Sequence, residues 1–207
     1  LAFRQNEKLI LQATVRDVTQ RKESERKVIS TVKQLNIALE GIVRAVSKTM
    51  GFRDQYTTLH QKQVSDISCA IAHHLGWSED RIKGLKLAAL IHDIGKISTP
   101  TDILTNPSKL SDAELELIKE HAEIGYQILK EFEFPWDIAE MVHQHHERLD
   151  GSGYPQGLKG DAILPEAKII AVADTIESMS EHRPYRQSVG LLGALEEIRR
   201  GSGKTYD

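Results

Sequence analysis

The chain has 207 residues, 40% of them hydrophobic and 28% charged, with a formal net charge of −3. That length allows one ordinary domain plus an appendage with a buried core, and the balance lacks the basic surplus that a polymeric nucleic acid demands. The single cysteine, Cys69, excludes an internal disulfide and fits a reducing cytosol; no apolar run approaches the roughly 18 residues of a membrane span and no signal peptide is visible.

Three zones follow in chain order. Residues 1–20 end in a strand-like stretch, Leu9 to Gln20, rich in β-branched residues and too short to be a domain. Residues 21–50 read as a helix. Val28, Val32, Leu35, Leu39, Ile42 and Val46 alternate four and three apart, a heptad seam that predicts a parallel coiled-coil dimer. The plainer alternative is an amphipathic helix lying on its own domain. From Gly51 to Asp207 the patterns are helical. Ser78 caps a helix carrying Ile82, Leu85, Ala88, Ala89 and His92, with Gly95 as its expected stop. Ser111 and Glu114 form a capping box before Leu117, His121 and Ile124. Pro165 to Met179 starts on a first-turn proline and is apolar nearly all round, so it should be buried. The expected fold is an all-α bundle with a long N-terminal linker helix. The ends, Leu1 and GSGKTYD, read as those of a piece of a longer protein.

Nine histidines are present. His60, His92, His121 and the pair His145-His146 each fall in or beside a different expected helix, so helices crossing one centre could present them inward. Asp93 directly follows His92. Asp174 sits in an apolar helix, where a lone carboxylate would be costly unless paired or bound to a cation. Five imidazoles and two carboxylates exceed one tetrahedral zinc and suit two first-row ions with mixed nitrogen and oxygen ligands. Asp93 is the natural bridge. Taken singly, each histidine is more often a satisfied core residue. His73 and His74 are read as structural, His143 as facing away from His145, and His182 as exposed.

These residues carry a resemblance. LIHDIGKI, HHERLDGSGYPQGLKG, AVADTIESM and RPYR, in this order, are similar to the HD-GYP family of metal-dependent phosphodiesterases, within the HD superfamily; the likeness covers about Asp54 to Tyr206. It implies that His60, His92, Asp93, His121, His145, His146 and Asp174 are metal ligands and that Lys96 is the lysine of the HDxGK run. It further implies that Gly153, Tyr154 and Pro155 form the namesake loop and that Arg183 and Arg186 meet the ligand's phosphates. The implied activity is hydrolysis of cyclic di-GMP to pGpG or GMP by a hydroxide bridging two ions, iron or manganese. A branch of the family holds a third ion through a glutamate four residues before the first histidine; Tyr56 stands there, which speaks against a third ion. The family's loop is linked to GGDEF-type cyclases, which makes Asp150 to Pro155 a candidate contact surface. ATVRDVTQRKESE resembles the end of a PAS sensor domain, and GSGKTYD the segment leading into a last helix.

The residues support that chemistry. A phosphodiester repels nucleophiles and has a poor leaving group, and two nearby cations relieve both difficulties. Lys96 lies one turn from His92 and Asp93, within reach of a phosphate or leaving oxygen. Arg183 and Arg186, three apart, suit bidentate phosphate contact, and Tyr154 can stack on a base. Two alternatives stand: a catalytically silent module that binds the nucleotide or docks a cyclase, and a phosphodiesterase for cyclic GMP-AMP.

Overall fold

The structure, a computed structural model, describes residues 2–5, 8–11, 18–51, 57–106, 108, 110–181 and 188–207. The chain divides into two compact units, Leu1–Glu40 and Gly41–Asp207. In the first, β1 (Ala2–Gln5) pairs antiparallel with β2 (Lys8–Leu11), Ala2 opposite Leu11 and Phe3 opposite Ile10. The expected strand thus begins one residue early and is a hairpin arm, while Thr19 and Gln20 are already helical; residues 12–17 lie outside the described set.

One helix, α1 (Thr19–Gly51), spans the expected linker. Val28, Val32, Leu35 and Ile42 of the heptad seam are 61%, 50%, 63% and 62% exposed. The residues α1 buries are Val43, Ser47 and Met50. Its C-terminal turns, from Gly41 on, belong to the second unit and are buried there through a stripe that the seam does not contain; Ser47 Oγ donates to Gln61.

The second unit is helical, as expected. Helices α2 (Thr57–His74), α3 (Glu79–Ile91), α4 (Thr101–Leu104), α5 (Asp112–Leu129), α6 (Ile138–Gln144), α7 (Pro165–Ser180) and α8 (Gly190–Gly201) follow one another, and its described residues hold only an isolated bridge between Ser202 and Tyr206 in place of strands. Helix α3 is the centre, packed against α2, α6 and α7. Its Leu85, Leu87, Ala88, Ala89, Leu90 and Ile91 are all buried, and each large apolar side chain of this kind contributes about 1.5–3 kcal/mol relative to exposure. The caps form as their chemistry dictates. Ser78 Oγ accepts from the Arg81 amide at 3.3 Å, the Ser111–Glu114 box is reciprocal, and Pro165 opens α7. Helix α7 buries Ala167, Ile169, Ile170, Ala171 and Ala173.

Gly95 does not stop α3. The helix ends at Ile91 with His92 as its C-cap, and Gly95 lies inside a 3-10 turn, Ile94–Ser98. A Cβ there would come 1.9 Å from the carbonyl oxygen of His121. Glycine is required because the turn presses directly onto α5, a long-range demand that a local helix-stop reading misses.

Candidate metal centre

Five elements deliver the expected ligands to one place. His60 comes from the first turn of α2, His92 and Asp93 from the end of α3, and His121 from α5. His145 and His146 follow α6, and Asp174 comes from α7. His60, His92, Asp93, His121 and His145 are all buried to 5% exposure or less. Among the described residues three groups of three emerge, each with ligand atoms within 4.8 Å of one another: His60–His92–Asp174, His121–His145–His146, and His92–Asp93–His145, which joins the first two. Asp93 lies between the first two. Its Oδ2 is 3.8 Å from His60 Nε2 and 3.6 Å from His92 Nε2, and its Oδ1 is 3.5 Å from His121 Nε2. One carboxylate oxygen thus faces each of the first two groups.

The backbone fixes how the rings point. His92, His121 and His145 each set Nδ1 against the carbonyl three residues earlier, Ala89 at 2.8 Å, Ile118 at 2.6 Å and Val142 at 2.5 Å. A ring nitrogen facing a carbonyl must carry the proton, which leaves Nε2 as a lone pair aimed at the centre. His121 Nε2 and His145 Nε2 stand 3.2 Å apart. Among the described residues His92 Nε2 is buried without a hydrogen-bond partner. Converging, buried nitrogen lone pairs beside carboxylates are a donor set that fits first-row cations.

The electrostatics agree. Burial, and then the neighbouring imidazoles His92 and His121, hold His145 far below its usual range, and burial with His145 and His121 does the same to His146. Burial, only partly opposed by Asp93, lowers His121 to about 4. All three are therefore neutral, as ligands must be. Burial works against ionised Asp93 and Asp174, yet Lys96 and His92 beside the first and His60 beside the second keep both well below the usual carboxylate range. His60 runs the other way. Burial disfavours its charge, but hydrogen bonds to Asp174 and Glu177 outweigh it and raise the ring to about 9, so an ion held by His60 would have to displace a proton from it.

Glu177 is the residue sequence reasoning missed. It is buried, and its Oε2 meets His60 Nδ1, while His60 Nε2 faces Asp174 Oδ1 at 3.2 Å. The available signal was its spacing, one turn after Asp174 on an otherwise apolar helix. Glu147, next in chain after the histidine pair, is 2% exposed and faces the amides of Gln156, Gly157 and Leu158.

The surrounding residues fall as follows. Lys96 Nζ donates to Asp93 Oδ2 at 2.7 Å. Tyr154 stacks on His146, ring centroids 4.7 Å apart, and lies edge-on to His121 at 6.4 Å. Burial and the charges of Asp174 and Asp93 push its phenol well up. His143 is directed elsewhere, with Nε2 on Glu123 at 2.8 Å and its ring stacked on Tyr126. His73 sits at the far end of α2, 3.7 Å from Glu79. Arg183, Arg186, His182 and Tyr56 lie outside the described residues.

Known proteins resemble this chain in sequence and in fold. The sequence profile of the HD domain family matches residues 23–207. The chain is 42% identical over 157 residues to a cyclic di-GMP phosphodiesterase of Thermotoga maritima, covering 75% of this chain and 43% of that protein. It is 32% identical over 185 residues to the cyclic di-GMP phosphodiesterase response regulator RpfG of Xanthomonas campestris, covering 88% and 49%. It is 37% identical over 158 residues to 3'3'-cGAMP-specific phosphodiesterase 1 of Vibrio cholerae, covering 76% and 37%. The chain thus spans half or less of the length of these relatives. The solved structure of Bd1817, an HDG"Y"P protein from Bdellovibrio bacteriovorus, superposes with a TM-score of 0.60 at 25% identity, over 72% of this chain and 48% of that one. The chain belongs to the HD domain family, and its HHE-to-GYP run places it with the HD-GYP proteins.

Proposed function

We propose that this chain hydrolyses a cyclic dinucleotide, cyclic di-GMP, to its linear form at a two-ion centre. The observation that carries the reading is Asp93, with one oxygen toward each group of three ligands. His60, His92 and Asp174 would hold one ion, His121, His145 and His146 the other, with Asp93 shared between them; the mixed donor set suits iron or manganese. The chemistry such ions supply is Lewis acidity toward phosphoryl oxygens and a lowered water pKa.

The chain's own groups do the rest. Lys96, anchored on Asp93, sets a cation beside the position of the scissile phosphate. Tyr154 offers a ring face at the edge of the centre to a base. Arg183 and Arg186 are read from the sequence as phosphate ligands. Tyr56 brings no carboxylate for a third ion. Relatives named for cyclic di-GMP and for 3'3'-cGAMP make these two nucleotides the substrates to compare. No helix among the described residues is long and apolar enough to cross a membrane, and a cytoplasmic setting suits a messenger substrate. Residues 1–20, as the end of a sensor domain, and a dimer along residues 28–46 would regulate the site, and Asp150 to Pro155 would face a cyclase partner.

The test is elemental analysis of protein purified without oxygen, with turnover of both nucleotides assayed on the same sample. About two equivalents of iron or manganese with linear product formed supports the reading. Two equivalents without turnover of either nucleotide would make the chain a binding module, and an unloaded centre after reconstitution would overturn the two-ion site.

A further inference from the structure

His145, His146 and Glu147 are consecutive, yet the third points away from the first two. Both imidazoles enter the metal centre. The Glu147 carboxylate, 2% exposed, turns toward the loop that follows. Its Oε1 accepts from the amides of Gln156 at 2.7 Å and Gly157 at 3.1 Å, and its Oε2 from that of Leu158 at 2.9 Å. Three successive amides thus close on one buried carboxylate. Such a nest holds an anion without a cationic partner, and among the described residues no lysine, arginine or histidine pairs with this carboxylate.

The other arm of the loop is fixed on the same short segment. The Tyr154 amide donates to the His146 carbonyl at 3.3 Å. Gly153 lies so close that a Cβ would meet Glu147 Cα at 2.4 Å and Arg148 N at 2.5 Å. The loop is therefore held from both sides of Tyr154, by backbone contact before it and by the Glu147 carboxylate after it. The ring so placed stacks on the ligand His146.

We propose that Glu147 is a positioning residue: it ties the Tyr154 loop to the segment bearing the histidine ligands and so sets where Tyr154 meets the nucleotide. The proposal rests on the cyclic-dinucleotide reading for its substrate but not for its geometry. Glu147→Gln is the informative change. Whichever way the amide turns, its NH₂ faces at least one backbone N–H, donor against donor, at nearly unchanged volume.

The experiment takes the full chain loaded with manganese. Hydrogen exchange of the wild type comes first, and the amides of Gln156, Gly157 and Leu158 should be protected although they lie in a loop. In Glu147→Gln the same amides should exchange at least ~10-fold faster while manganese stoichiometry stays at the wild-type value. With cyclic di-GMP, KM should rise by about 10-fold with a smaller change in kcat, and in a Tyr154→Ala background Glu147→Gln should have no further effect on KM. Unprotected amides in the wild type, loss of manganese from Glu147→Gln, or KM effects that add to those of Tyr154→Ala would each overturn the assignment. Exchange and metal content need no turnover, so a wild type that leaves cyclic di-GMP intact defeats the substrate reading while the clamp is still decided.

Discussion

At the scale of single residues, the centre depends on groups that never touch an ion. The candidate ligand His60 sets Nδ1 against a side chain, Glu177, where His92, His121 and His145 use backbone carbonyls. A backbone carbonyl is fixed by its helix, but a carboxylate can be removed. Partners of this kind fix ring orientation and raise ligand basicity, and losing one typically costs 10–100-fold in metal affinity. Glu177→Gln should therefore weaken manganese binding by roughly that factor, read by calorimetric titration of metal-stripped protein. Unchanged affinity would reduce Glu177 to a space-filling role. The contrast explains what the sequence could disclose. His92 and Asp93 are conspicuous as neighbours. Glu177 serves His60, 117 positions away, and only the packing of α7 on α2 makes them partners.

At the scale of elements, local chemistry was legible and long-range contact was not. The caps at Ser78 and Ser111 and the proline at the start of α7 use atoms within four residues, so sequence suffices to place them. The Gly95 turn and the hairpin arm Ala2–Gln5 depend on partners elsewhere, and the first was misread while the second was not foreseen. Helix α1 combines both cases. Its burial of Val43, Ser47 and Met50 matches the amphipathic alternative at its C-terminal end, whereas Val28, Val32, Leu35 and Ile42 remain exposed at heptad spacing. Such a stripe on one helix is self-complementary, and a second copy of the chain in parallel register would bury it knob into hole. Leu35→Glu places a charge in the middle of the stripe without touching the residues α1 buries. The wild type should sediment as a dimer and the variant as a monomer with the same thermal unfolding of residues 41–207. A wild type that sediments as a monomer at ~100 μM, well above the micromolar range of a modest interface, would leave the stripe without its partner.

At the scale of the whole domain, the candidate ligands are spread from His60 to Asp174 and come from five elements, so an ion bound there would join segments that separate on unfolding. The unfolded chain has no preformed site, and binding free energy becomes folding free energy. Without an ion the folded state must hold His121 Nε2 and His145 Nε2 lone pairs 3.2 Å apart, next to a buried Asp93. Both arguments have one sign: metal stabilises the fold. At a free ion concentration about 100 times Kd the gain is about 2.7 kcal/mol, which for a domain of this size moves the melting temperature by roughly 5–10 °C. Scanning calorimetry of manganese-loaded and chelated protein should show that difference, and Asp93→Ala should abolish it, because that change removes the carboxylate facing both ligand groups. Leu35→Glu, in the other compact unit, should keep it in full. Equal melting temperatures for the loaded and chelated wild type, with the ions confirmed present, would mean that the five elements already form the centre at no cost in folding free energy, against the repulsion that the converging nitrogens imply.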